Sequence, residues 1–202
     1  MTYRHTLAAG AFLLATANGA LAAHDIDPAK VSASSVTLQD ISKPGSAGKS
    51  FLAATIIQAP VARLCSLIQQ YEKYPGFMPN TDKTVVSERG PGHAVIDVTL
   101  KLPMGKVKKY RLRMEPKIGA DECRVAWKLL PWPGLTQEET IADTTGYWQL
   151  TPAGTAGGTL VKYVVYTDPG PVPFGLGWIV DSLSKDSIPQ TLEALRKRAA
   201  SQ

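Results

Sequence analysis

Apolar and polar positions alternate along most of the chain between residues 84 and 168. In Ala94–Leu102, Ile96, Val98, Leu100 and Leu102 alternate with Asp97, Thr99 and Lys101. After a Pro103-Met104-Gly105 turn, Tyr110, Leu112 and Met114 alternate with Lys109, Arg111 and Arg113. In Glu122–Leu130, Cys123, Val125, Trp127 and Leu129 alternate with Arg124 and Lys128. Thr84–Glu88, Gly146–Thr151 and Thr159–Asp168 carry the same signal, the last with Val161, Tyr163 and Val165 opposing Lys162. Period-2 alternation with charge on one face predicts an antiparallel sheet with one wet and one apolar side. The Gly/Pro turns between these runs make successive strands neighbours. Upstream, Phe51–Ile57 is a further strand candidate, and Ser35–Ile41 a short one able to pair with it as a hairpin.

Two segments change period. Ala59-Pro60 opens a helix in which Val61, Leu64, Cys65, Ile68 and Tyr71 form one apolar face. Tyr74-Pro75-Gly76 and Met78-Pro79-Asn80 end it. Near the C-terminus, Leu176, Ile179, Val180 and Leu183 form one stripe, and Leu192, Leu195 and Ala199 a second. Pro189 between the stripes predicts a kink or a restart near Ser187. The fold class is α+β: a curved antiparallel sheet of six to seven strands, a short helix after the first strand, and a long C-terminal helix covering the apolar face.

Residues 1–23 stand apart. Arg4, the apolar run Leu7–Leu14 and Ala20-Leu21-Ala22 match the three regions of a secretory signal peptide. The expected division is therefore a leader over 1–23, a polar segment over 24–49 and one domain over 50–202. The expected location is outside the cytoplasm, in a bacterial periplasm. Loss of Arg4 with the leader lowers the formal charge of +5 to +4, so overall charge says little about partners. Export also bears on the two cysteines. An oxidising compartment permits a Cys65–Cys123 disulfide, with two buried free thiols as the alternative.

Reactive constellations are sparse. His5, His24 and His93 are scattered, and with two cysteines they offer no zinc-ligand spacing, so no metal site is expected. There is no G-x-S-x-G elbow and no phosphate-binding glycine loop, so no catalytic residue and no cofactor is assigned. Lys109, Arg111 and Arg113 share one strand face with Arg124 and Lys128 on the next. If those strands pair, they form a basic patch suited to peripheral contact with an anionic membrane, the alternative being a solvated sheet face. A nucleic-acid partner is disfavoured, because the patch lacks aromatics for base stacking. Phe77, Met78, Trp132, Phe174 and Trp178 sit on Pro/Gly-rich loops, where they either rim a cavity mouth or anchor loops to the core.

Several runs resemble one family. Ala59-Pro60 followed by Tyr71-Glu72-Lys73-Tyr74-Pro75-Gly76-Phe77-Met78-Pro79-Asn80 is similar to the start of the START-like (SRPBCC, helix-grip) superfamily, in its coenzyme Q-binding, polyketide cyclase-like branch. Gly146–Pro152 with Gly158–Tyr163 resembles that branch's late hairpin, and Asp168-Pro169-Gly170 with Leu192–Arg198 its ending. The resemblance covers about residues 50–200. It implies a helix-grip fold with an internal cavity for a lipid, isoprenoid quinone, polyketide or similar apolar ligand. Inward strand positions Ile96, Val98, Leu100, Tyr110, Leu112, Met114, Val125, Trp127, Tyr163 and Val165 would line its sheet side. Leu176, Ile179, Val180 and Leu183 would line its helix side. The expected function is binding and transport of a hydrophobic small molecule in that cavity; a cyclase or aromatase acting in the same cavity is the alternative.

Overall fold

The computed structural model describes residues 26–171 and 177–201, with side chains except for Pro28 and residues 177–184. The leader and His24 lie outside the described residues, as do Phe174 and Leu176 and the side chains of Trp178, Ile179, Val180 and Leu183. Eight strands form one antiparallel sheet: β1 (Thr37–Asp40), β2 (Lys49–Ile57), β3 (Thr81–Gly90), β4 (His93–Lys101), β5 (Val107–Ile118), β6 (Cys123–Leu130), β7 (Asp143–Pro152) and β8 (Thr159–Asp168). Their order is β1-β2-β8-β7-β6-β5-β4-β3, so β3 to β8 run as a meander and β2 closes onto β8. Among the described residues, two α-helices complete the fold, α1 (Val61–Ile68) and α2 (Gly177–Ala200). The count of eight exceeds the expected six to seven because the short β1 pairs fully with β2, Thr37 opposite Ala54 and Asp40 opposite Phe51.

The helix expected from Ala59-Pro60 is shorter than its apolar face. Pro60 is the extended N-cap (φ −63°, ψ 148°), and the α-helix ends at Ile68. A 3-10 turn over Tyr71–Gly76 then carries Tyr71 inward and contains Pro75. The chain leaves helical geometry at Gln70 (φ −80°, ψ 61°), which separates the α-helix from the 3-10 turn. Leu64, Cys65, Leu67 and Ile68 are buried, each apolar side chain contributing on the order of 1.5–3 kcal/mol.

At the other end of the chain, α2 runs from 177 to 200 without the expected restart at Ser187; Pro189 is accommodated within it. The residue's missing N–H costs one helical bond. Thr191 Oγ1 donates to the Ser187 carbonyl at 2.8 Å on the adjacent turn. Ile188, Leu192, Leu195 and Ala199 are buried in the concave face of the sheet.

Cys65 and Cys123 are bonded, with Cα atoms 6.0 Å apart, so the disulfide alternative holds over free thiols. The bond ties α1 to the start of β6. Arg63 Nη2 donates to the Ala199 carbonyl at 2.7 Å and ties the same helix to the end of α2. One end of the curved sheet is thereby closed.

The polar N-terminal segment is more than a loop. Ile26 and Val31 are buried on the outer face of the sheet against Leu52, Ala54, Tyr147 and Val164. Thr55 Oγ1 lies 3.0 Å from the carbonyls of both Ser32 and Ser35, which holds this cover in place.

Candidate functional site: an internal cavity

Between the sheet and α2 lies a cavity of about 850 Å³, within the range of ~300–1,000 Å³ usual for small-molecule sites. The inward rows of β4 and β5 supply Ile96, Val98, Leu100, Tyr110, Leu112 and Met114, as alternation predicted. Trp127 on β6 and Tyr163 and Val165 on β8 continue the wall, and Met78 stands at its rim.

Aromatic rings dominate the floor. Trp127 stacks on Tyr163 with centroids 5.4 Å apart, and Trp148 meets the same ring at 4.4 Å. Gly146 makes this possible. It sits opposite Trp127 in the register, and a Cβ there would stand 2.4 Å from Trp127 Cζ2 and 2.2 Å from the Val164 carbonyl oxygen.

Three tyrosines bring polarity to the cavity. Tyr74 donates to the Ile68 carbonyl at 2.6 Å. Burial pushes its pKa well above the ordinary value, with Tyr71, Tyr163 and Tyr110 adding to the effect. Burial raises Tyr110 and Tyr163 likewise, and for Tyr163 the nearby Tyr110 adds to it. All three are neutral hydroxyls around neutral pH. They can donate and accept hydrogen bonds, but they are not poised as bases.

Several expected positions are corrected. Val125 shares the inward parity of Trp127 but is fully buried in the core near α1, off the cavity wall. Alternation identifies a face, whereas the cavity occupies only part of that face. Phe77 is not at the mouth. Its ring packs edge-on to Tyr74 at 5.7 Å and lies under the Arg198 guanidinium at 5.1 Å. Trp132 is also off the cavity wall, with the Arg111 guanidinium 4.9 Å from its ring centroid.

Other lining residues were not singled out from the sequence: Phe51, Tyr74, Trp148, Ile188, Thr191, Lys49 and Lys108. Phe51, Trp148 and Lys108 lie on inward rows and were accessible to the same parity argument. Tyr74 sits in the 3-10 turn, where no periodicity points the way.

The basic residues of β5 and β6 do meet on one face. Arg113 is directly opposite Lys128, and Lys117 opposite Arg124. The face also holds acids. Arg111 makes a two-pronged pair with Asp97 at 2.6 and 2.8 Å, and Arg113 meets Glu115 at 2.8 Å. Arg124 lies 3.5 Å over the Tyr147 ring. The resulting surface is basic overall, with part of its charge locally paired.

A curved antiparallel sheet wrapped on a long helix around an aromatic-floored cavity defines the START-like class. The model of the polyketide cyclase / dehydrase and lipid transport family matches residues 57–196, and the chain belongs to that family. No curated protein matches the chain. Among solved structures, a STAR-related lipid transfer protein from Xanthomonas axonopodis superposes with a TM-score of 0.71 at 17% identity, covering 82% of this chain and 94% of that one. Human StAR-related lipid transfer protein 5 gives 0.70 at 11% identity, covering 83% of each chain. An aromatase/cyclase from Streptomyces gives 0.59 at 13% identity, covering 81% and 94%. At these identities the likeness is one of fold.

Proposed function

We propose that the protein binds a hydrophobic small molecule in this cavity and carries it between sites. The supporting observation is the cavity itself, about 850 Å³ in volume and walled mainly by apolar and aromatic side chains. Each ~100 Å² of apolar ligand surface removed from water contributes about 2.5 kcal/mol before the costs of ordering. Lipids, isoprenoid quinones and polyketide-like molecules all suit such a wall. The setting is exported and periplasmic, a reading supported by the leader-like first 23 residues and by the disulfide. Peripheral contact with an anionic membrane belongs to the same reading, through Lys109, Arg113, Arg124 and Lys128 on the outer sheet face.

Native mass spectrometry with organic extraction tests the binding role on protein purified from its own host. A co-purifying apolar molecule is expected. Repeated absence, together with no binding of added lipid or quinone, overturns it. Flotation with anionic and with neutral vesicles tests the membrane contact, which predicts association with the anionic ones only.

A cyclase acting in the same cavity is favoured by the family's description and by the Tyr110 and Tyr163 hydroxyls at its wall. Turnover of a poly-carbonyl substrate, lost in Tyr110→Phe while binding persists, would establish that reading.

A further inference from the structure

The inward rows of the sheet change character towards one end. On β5 the row Met114, Leu112, Tyr110 continues to Lys108. On β2 the row Ala53, Phe51 continues to Lys49. The corresponding rows of β7 and β8 end in Thr144 and Thr167, whose hydroxyls lie 3.2 Å apart. Lys49 is opposite Thr167 in the register, and all four residues line the cavity. A pattern selected for core packing alone would place an apolar side chain at Lys108.

Lys108 is half-buried there. Its ammonium donates to the Thr140 carbonyl at 2.6 Å, and among the described residues no carboxylate lies within ion-pair distance of it. Burial holds its pKa below the usual lysine value, with Glu138 opposing that effect and Lys106 adding to it. The wall of this end thus carries Lys49, Lys106 and Lys108 against Glu138. A half-buried ammonium beside hydrocarbon gains most from a charged acceptor.

We propose that the cavity takes an amphiphile, its apolar body against Trp127, Trp148 and Tyr163 and its anionic head group, a carboxylate or a phosphate, held at the mouth by Lys108 with Lys106 and Lys49. The proposal rests on the cavity being a ligand site. An uncharged ligand of the same length leaves the Lys108 ammonium facing a group that cannot neutralise it. An acid forms charge-assisted hydrogen bonds with it, worth about ten- to a hundredfold in affinity. Glu138 competes with the head group for the same lysine.

The test titrates the full protein with palmitate, hexadecyl phosphate and hexadecanol, read by the intrinsic tryptophan fluorescence, to which Trp127 and Trp148 in the cavity wall contribute. Both acids should bind at least about tenfold more tightly than the alcohol. Lys108→Met should remove that difference by weakening the two acids, while Glu138→Gln should widen it. Glu138 is exposed, so the second variant keeps the test available if the first does not fold. Inorganic phosphate alone should not compete; if it displaces the amphiphiles at comparable concentration, the site takes free anions and the proposal is overturned. Equal affinities for acid and alcohol overturn the proposal and leave the cavity reading standing. Binding of none of the three overturns both.

Discussion

Removing the disulfide is the sharpest test of how this fold holds its closed end. Cys65 and Cys123 are 58 residues apart in sequence, and both are buried. A cross-link closing a loop of that length removes chain entropy from the unfolded state worth about 4 kcal/mol at room temperature. For a domain of this size each kcal/mol moves the melting temperature by about 2–4 °C, so the expected loss is about 8–16 °C. The perturbation is the double variant Cys65→Ala and Cys123→Ala, with reduced wild type as the control for the volume lost with two sulfurs. Thermal and urea unfolding followed by circular dichroism read the melting temperature and the free energy. Amide exchange should rise first over Leu64–Gln69, because α1 loses its covalent tie to β6. Thiol titration of the unfolded, unreduced protein should find no free thiol. Two titratable thiols in that sample, or a difference below about 1 kcal/mol between oxidised and reduced protein, would refute the reasoning.

Three further outcomes are expected. Gly146→Ala should cost about 1–3 kcal/mol in chemical denaturation, since its Cβ would collide with Trp127 and the Val164 carbonyl; an unchanged midpoint contradicts the tight floor. Burial raises the Tyr71 pKa to about 12, and its hydroxyl has no hydrogen-bond partner among the described residues. The unfolded chain therefore ionises first, and stability present below pH 10 should fall as pH rises towards 12, a fall that should be smaller in Tyr71→Phe when urea denaturation is compared across that range. Asp97→Asn should weaken the fold by at most about 1 kcal/mol, with the loss shrinking at high salt, because the Arg111 pair is partly exposed; a salt-independent loss of several kcal/mol would mean that the pair is structurally isolated from solvent.

Much of the fold was legible because strand alternation is enforced at every residue. Ile96, Val98, Leu112 and Met114 had to share a face, and that face had to be covered. The helical stripe Leu192, Leu195 and Ala199 supplied the cover, and all three are buried. Of the kink or restart expected at Pro189, the restart did not follow: the long helix continues through it while packed in the sheet's concave face. Loop aromatics were the least legible. Phe77 and Trp132 carry no periodic constraint; the cation over Phe77, Arg198, comes from the far end of the chain, and the one over Trp132, Arg111, from the neighbouring strand.

The basic patch shows the same division. Alternation placed Lys109, Arg111 and Arg113 on one face, and the register set Arg113 against Lys128. Pairing with Asp97 and Glu115 depends on side-chain reach across and along strands, which residue spacing does not specify.

Side-chain period, turn residues and apolar stripes are local properties, so the amino-acid order by itself determined the strands, their inward faces and the two covering helices. Tertiary structure alone decided how far along each inward row the cavity extends. Val125 and Trp127 share a row, yet one is in the core and the other on the wall, because α1 is pinned to the first end of β6 by Cys65–Cys123 and leaves the other end open. The same geometry turns Lys108 from one more lysine in a basic stretch into a charge at the mouth of an apolar cavity.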